Sequence, residues 1–202
     1  MKLYYIPGAS SLAPHIVMRE AGLPVDLVKV DGKTRKLPDG GDYLAVNPKG
    51  YVPTLELDGG ERLTEVAAIL QYLADQAPST GLAPTAGDFA RYRLQEWLNF
   101  IATELHKFHG PLFDPRAAAE TKDSYRRAIK GRYDWLNATL KGRALLTGAS
   151  FSVADAYLFV VLSWSRWVNL DLREWSVLNE YSARIAARPA VQEAMRAEGL
   201  VK

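Results

Sequence analysis

The residues best placed to do chemistry fall into three groups. The first centres on Glu65, in the stretch NPKGYVPTLELDGGERLTEVAAILQ, residues 47–71. Val66, Ile69, Leu70 and Leu73 stand at i, i+3, i+4 and i+7, the apolar stripe of an amphipathic helix that opens at Thr64 and Glu65. A helix N-terminus presents unpaired N–H groups and partial positive charge, which suit a carboxylate. The Glu65 side chain in the same space suits an ammonium, so both charged groups of one amino-acid moiety have a partner here. The competing reading is an acidic first turn that complements the helix dipole. The second group is Asn99, Thr103 and His106, at i, i+4 and i+7 on one helix face, apart from a stripe of Trp97, Ile101, Leu105 and Phe108. That face is either solvated or closes a cleft against the first part of the chain, with His106 as hydrogen-bond donor or base. The third group is Ser10 and Ser11, after the turn at residues 7–10, either of which can cap a helix.

The elements that hold these groups follow from patterning. Residues 2–5 read as a strand, residues 11–21 as a helix stopped by Gly22, and residues 27–30 as a second strand, together a βαβ unit. Pro14 fits the first helical turn. A hairpin with a turn at Asp58-Gly59-Gly60 joins this unit to the helix after Glu65, giving a βαβ–ββα domain over residues 1–80. Residues 78–87, PSTGLAPTAG, read as a linker. Residues 88–202 read as an all-α domain. Its helices run from an Asp88 cap to about His109, ended by Gly110-Pro111, then over about 117–140, 152–167, 172–187 and 189–197. Ser152 and Asp155 have capping-box spacing, and the helix they open is apolar on nearly all sides, as suits a bundle centre. Pro189 suits a first helical position.

Composition narrows the chemistry. The 202 residues carry a net charge of +2 with scattered basic residues, so nucleic-acid binding is not implied. No apolar run approaches the ~20 residues that span a bilayer, and MKLYYIPGAS lacks the apolar core of a signal peptide, so a cytoplasmic protein without membrane contact is expected. There is no cysteine, which excludes disulfides, thiolate-ligated zinc and protein-thiol catalysis. Three histidines, His15, His106 and His109, are too few and too scattered to suggest a metal cluster. His15 reads as packed inside the first helix, and His109 as a cation at a helix C-terminus.

Six pieces in order, MKLYYIPGASSLAPHI, NPKGYVPTLEL, LTEVAAILQYLAD, EWLNFIATELHK, FSVADAYLF and ARPAVQEAMRAEGL, resemble the cytosolic glutathione transferases, most closely the bacterial Beta class. The resemblance implies a thioredoxin-like domain followed by an all-α domain, a homodimer, and a cis peptide bond before Pro53. It also implies site residues. The backbone of Val52, before Pro53, pairs with the cysteinyl part of glutathione as an added strand. Glu65 and the N–H of Val66 hold the γ-glutamyl end. Arg35, with Lys36 as the alternative, meets the glycyl carboxylate. Asn99, Thr103 and His106 face the thiol, and Glu104 and Lys107 reach the neighbouring subunit's site. Phe113 and Trp164 line an electrophile pocket or simply pack in the core.

The chain departs from the Beta-class pattern at position 10, where Ser10 replaces the usual cysteine. Disulfide exchange through a protein thiol is therefore closed to it. The implied activity is that of a transferase. A hydroxyl donates to the glutathione sulfur, and the thiolate attacks a small hydrophobic electrophile, with glutathione as cosubstrate and no metal. A free thiol with pKa ~8.5 is only a few per cent ionised at pH 7. Lowering that pKa by ~2 units takes ~2.7 kcal/mol, within the ~1.5–3 kcal/mol of one good hydrogen bond to a charged group. Ser10 is the first candidate donor, and Ser11, Tyr5 and His106 are the substitutes. The alternative function is a carrier of glutathione or hydrophobic ligands with little turnover. A pure partner-binding protein has no use for Glu65, Val52-Pro53 and the polar line.

Overall fold

A computed structural model describes residues 1–148 and 150–202. The chain divides into two compact units, residues 1–83 with 188–202, and residues 84–187.

The first unit is built on a four-stranded sheet of order β2-β1-β3-β4. Strand β1 (Lys2–Tyr5) leads through helix α1 (Leu12–Glu20) to β2 (Asp26–Lys29), which lies parallel to β1 with Leu3 opposite Leu27. Strand β3 (Thr54–Glu56) runs antiparallel to β1 and to β4 (Arg62–Thr64). The β3–β4 turn closes through Gly60 at φ +90°, a conformation that glycine reaches without a Cβ penalty. Helix α2 (Val66–Gln76) follows, and Ile69, Leu70 and Leu73 on its predicted stripe are wholly buried. This is the expected βαβ–ββα, thioredoxin-like arrangement, with the expected cis bond between Val52 and Pro53. The predicted second strand is displaced by one residue. The predicted linker contains a 3-10 turn (Pro78–Thr80) and a buried Leu82.

Helix α8 (Pro189–Ala197), with Pro189 in its first turn, packs on α1. The sequence reading assigns residues 188–202 to the helical part, whereas compactness groups them with the sheet. Val191 and Ala194 of α8 are fully buried, and polar contacts add to that apolar packing. Arg188 forms a two-point ion pair with Glu20 at 2.6 and 2.9 Å, and Glu198 reaches residues of the β1–α1 connection and of α1.

The second unit contains α3 (Phe89–Phe100), a π-helical segment (Ile101–His106), α4 (Lys107–Phe113), α5 (Ala119–Thr139), α6 (Val153–Ser163) and α7 (Ser176–Ala186). Helix α6 is its centre, with every residue from Val153 to Leu162 buried. The box at its start forms as spaced. Asp155 accepts from Ser152 N and Oγ, and also from Leu146 N (2.9 Å) and Tyr181 Oη (2.8 Å). Burial pushes the Asp155 carboxyl above its ordinary value, and these four donors pull against that shift.

Other expectations need correction. Gly110-Pro111 does not end the helix, which continues to Phe113. Pro111 removes the N–H that would meet the Lys107 carbonyl, and the helix runs two residues beyond it. Asp88 stands at the α3 N-cap position but makes no side-chain capping bond, and neither does Ser11 at α1. The buried face of α3–α4 is Leu94, Leu98, Ile101, Leu105, His109 and Leu112. Trp97 and Phe108 are only half-buried, and Trp97 stacks with Phe100 and Trp135.

Candidate functional site

In the first unit the β1–α1 connection holds two hydroxyls with different jobs. Ser11 is fully buried, and its Oγ accepts from Ile6 N and donates to Ile6 O, both at 3.2 Å. It ties the connection to itself as both donor and acceptor. Ser10 is also buried, one step before the Ser11 N-cap, and its Oγ donates to the carbonyl of Val52 at 3.1 Å. Tyr5 lies in the core at the end of β1. Burial first, and then the nearby Glu198 carboxylate, push its phenol above the ordinary value, so it stays protonated at neutral pH.

Val52 is held in place by residues for which the sequence reading found no role. Tyr43, fully buried, donates its hydroxyl to Tyr51 O at 2.7 Å and shares a 2.8 Å hydrogen bond with Thr54 Oγ1. Asn47 donates from Nδ2 to the same Tyr51 carbonyl at 2.7 Å and accepts from Lys49 N. The segment before the cis proline is therefore braced by two buried polar side chains. A buried Asn next to a Pro-Lys-Gly turn was the available signal, since such residues bond to nearby backbone.

Glu65 is the N-cap of α2 at φ +70°, ψ 119°, outside the ordinary allowed regions, and its carbonyl accepts from Ala68 N and Ile69 N. The amides of the first turn lack helical acceptors. Its side chain is exposed, and its carboxylate already holds an ammonium. Lys49 Nζ lies 2.5 Å from Glu65 Oε1 and 2.8 Å from Thr64 Oγ1. Val66 is buried, so only its backbone can meet a ligand. Arg35, at φ +58°, is half-buried and donates from Nη1 to Gly32 O at 2.9 Å. Lys36 is exposed and bridges Asp42 through its backbone.

In the second unit the polar line does not survive intact. Asn99 and Thr103 are exposed, and Thr103 Oγ1 donates to Asn99 O at 3.0 Å. The intervening helix is π from Ile101 to His106, so each turn holds an extra residue and His106 is rotated off the line. His106 instead pairs through Nδ1 with Tyr157 Oη at 2.6 Å and stacks edge-on with Trp164, ring centres 4.9 Å apart. The Tyr157 hydroxyl escaped notice because the α6 stripe reads as uniformly apolar. His109 is not a helix-end cation. It is fully buried, with Nδ1 2.8 Å from Leu105 O, and burial holds its imidazole below the ordinary value. Phe113 and Trp164 join His109 in an aromatic group, with centroid separations of 5.4 to 6.3 Å. Glu104 is engaged by Arg132 of α5 at 2.9 and 2.6 Å, and Lys107 is exposed. Among the described residues no group of three or more potential metal ligands stands together, and no helix is long and apolar enough to cross a membrane.

Comparison with known proteins places these features. Residues 10–76 match the family model for the glutathione S-transferase N-terminal domain, and residues 100–189 match that for the C-terminal domain. The chain is 48% identical over 200 residues to the glutathione S-transferase GstA of Escherichia coli O157:H7, covering 99% of this chain and all of that protein. It is similar in structure to BphK, a bacterial transferase solved as a ternary complex (54% identity, TM-score 0.97, 99% and 100% of the two chains). It is also similar to a sphingomonad glutathione S-transferase complexed with glutathione (48% identity, TM-score 0.96, all of both chains).

Proposed function

Because the chain belongs to the glutathione S-transferase family, and to its bacterial Beta-class branch, we propose that it binds glutathione on the first unit and activates the thiol with the Ser10 hydroxyl. The thiolate then attacks a small hydrophobic electrophile. A carbon–sulfur bond forms, and with an aryl halide the halide leaves. Glutathione is consumed as cosubstrate. The carrier alternative is not favoured, since the close relatives are named transferases.

The observation that carries the assignment is the 3.1 Å hydrogen bond from Ser10 Oγ to Val52 O. It sets the candidate thiolate donor beside the backbone that would pair with the cysteinyl unit, so binding by strand addition and activation by the hydroxyl draw on the same place. Two further features support the assignment. Glu65 already pairs with the Lys49 ammonium, so its carboxylate suits the γ-glutamyl ammonium, which would displace Lys49. Arg35 and Lys36 are cations on the same unit for the glycyl carboxylate. Ser11 is a weaker donor candidate than Ser10, because its hydroxyl is tied to both backbone groups of Ile6, whereas the Ser10 proton would turn from the Val52 carbonyl to the sulfur.

For the helical unit we propose that Phe113 and Trp164 meet the electrophile. His106, hydrogen-bonded to Tyr157, keeps the polar role that the family implies. Asn99, Thr103, Glu104 and Lys107 keep the secondary roles the family implies, in a homodimer that works in the cytoplasm.

The test is titration of the thiolate absorbance of bound glutathione, beside turnover of an aryl halide. The bound thiol is expected to ionise well below the free value. Ser10→Ala is expected to raise its pKa by about one to two units, the worth of one hydrogen bond to an anion. An unshifted thiol with binding intact rejects the mechanism.

A further inference from the structure

Glu198 is buried and charged in kind, lies far along the chain from every residue of the proposed site, and has no part in the chemistry above. Its side chain is completely shielded from solvent, as is that of His15. Glu198 Oε2 accepts from the backbone N–H of Gly8 at 2.9 Å, and Oε1 lies 2.9 Å from His15 Nδ1. His15 Nε2 accepts in turn from Arg19 Nε at 3.4 Å, which leaves the ring proton on Nδ1, facing Glu198. A run of donors, Arg19 to His15 to Glu198, and from the other side the Gly8 amide, thus satisfies a carboxylate that would otherwise be costly to bury.

Gly8 stands two residues before Ser10, at φ +71°. Several hydrogen bonds pin the connection from Ile6 to Ser11, among them Ala9 N to Ile6 O at 3.0 Å. Ser11 bonds both backbone groups of Ile6, Glu198 takes the Gly8 amide, and Ser10 reaches Val52. The Glu198 contact ties this connection to a residue far along the chain. Removing it leaves a buried amide without this acceptor and frees the turn that aims the Ser10 hydroxyl.

We propose that Glu198 is a positioning residue for Ser10, acting through the Gly8 amide to hold the hydroxyl where the glutathione thiolate forms. This rests on the assignment of Ser10 as the thiolate donor. The route is mechanical, and its sign separates it from a charge effect. Removing a negative charge near the site would by itself stabilise a thiolate and lower the thiol pKa. Releasing the hydroxyl raises it.

The experiment titrates the thiol of bound glutathione in the unaltered protein, Ser10→Ala, Glu198→Ala, Glu198→Gln and the Ser10→Ala/Glu198→Ala double variant, with S-methylglutathione affinity as a thiol-independent readout. Glu198→Ala is expected to raise the bound thiol pKa by about one unit, a tenfold loss of thiolate at a given pH below the pKa. S-methylglutathione affinity is expected to stay within about twofold. Glu198→Gln, which still offers an oxygen to Gly8, is expected to restore most of the shift. The double variant is expected to match Ser10→Ala alone, because the two act through one hydroxyl. Should Glu198→Ala not fold, Glu198→Asp keeps the charge, loses the reach to both partners, and is expected to raise the pKa in the same way. A bound thiol that is lowered in the unaltered protein and raised in Ser10→Ala, yet unchanged or lower in the Glu198 variants, overturns the inference alone. Additive shifts in the double variant also overturn it. An unshifted thiol in the unaltered protein overturns the assignment of Ser10 and this inference together.

Discussion

The two compact units are built for contrasting kinds of contact. The first uses backbone. A cis proline, a left-handed Gly8, a Glu65 at positive φ and the open end of α2 are all main-chain features, braced by the buried side chains of Tyr43, Asn47, Ser11 and Glu198. The second uses side-chain faces. His106, His109, Phe113, Tyr157 and Trp164 meet through ring contacts, and His106 and Tyr157 also share a hydrogen bond. Main-chain hydrogen bonds are directional and suit a partner that is always the same, here the tripeptide. Aromatic faces are tolerant and suit an electrophile that varies. On this contrast, damage to the first unit should be specific to glutathione, and damage to the second should spread between stability and electrophile choice.

The largest effect is expected at the core of the second unit. Asp155→Ala strands four donors, two of them backbone amides, and removes the box that opens α6. A loss of roughly 3–5 kcal/mol is expected in equilibrium denaturation, at the upper end for single substitutions. A loss under ~1 kcal/mol would mean that α6 is held by its apolar faces alone. Next, Glu65→Ala removes the carboxylate proposed for the γ-glutamyl ammonium. Glutathione affinity, read by calorimetry, should fall by roughly 10- to 150-fold, the worth of a charge-assisted bond of ~1.5–3 kcal/mol. Little change would return Glu65 to the bland role of an acidic helix start. Phe113→Ala should lower kcat/KM for aromatic electrophiles by about three- to tenfold, the worth of one ring–ring contact, while KM for glutathione stays put. A matching rise in the glutathione KM would break the division of labour.

The smallest effect is in pH dependence. Burial keeps the folded His109 imidazole below its ordinary value, so the unfolded chain binds its proton first as pH falls. The contribution of this group is therefore full above about pH 6.5 and is lost as pH drops toward the folded value, at no more than ~1.4 kcal/mol per pH unit for one proton. Denaturation midpoints measured from pH 7.5 to 5 should fall, and His109→Phe should flatten that fall. An unaltered slope in the variant would assign the acid sensitivity to other groups.

Most of the fold was legible because its signals are local and periodic. The stripe of Val66, Ile69, Leu70 and Leu73, the Gly22 stop and the Ser152–Asp155 spacing each announce themselves within one or two turns. The cis bond at Pro53 came from resemblance, since an X–Pro pair alone favours trans. Residues 10, 52 and 65 were legible as motif, and their roles rest on the proposal above. The π turn between Asn99 and His106 was not legible, because such a turn has no composition of its own and counting by 3.6 does not follow it. Glu198 and Tyr157 escaped because their meaning lies in partners that the order of residues does not bring together.

The grouping of residues 188–202 with the sheet also bears on how the protein is made. A ribosome delivers the β1–α1 connection early and Glu198 only after the whole helical unit has been synthesised. The turn that carries Ser10 therefore waits, with the Gly8 amide lacking its Glu198 acceptor, until α8 emerges and docks on α1. A nascent chain stalled before α8 would lack the Glu198 acceptor for Gly8, so on the proposal above the Ser10 hydroxyl would be aimed after α8 has docked on α1.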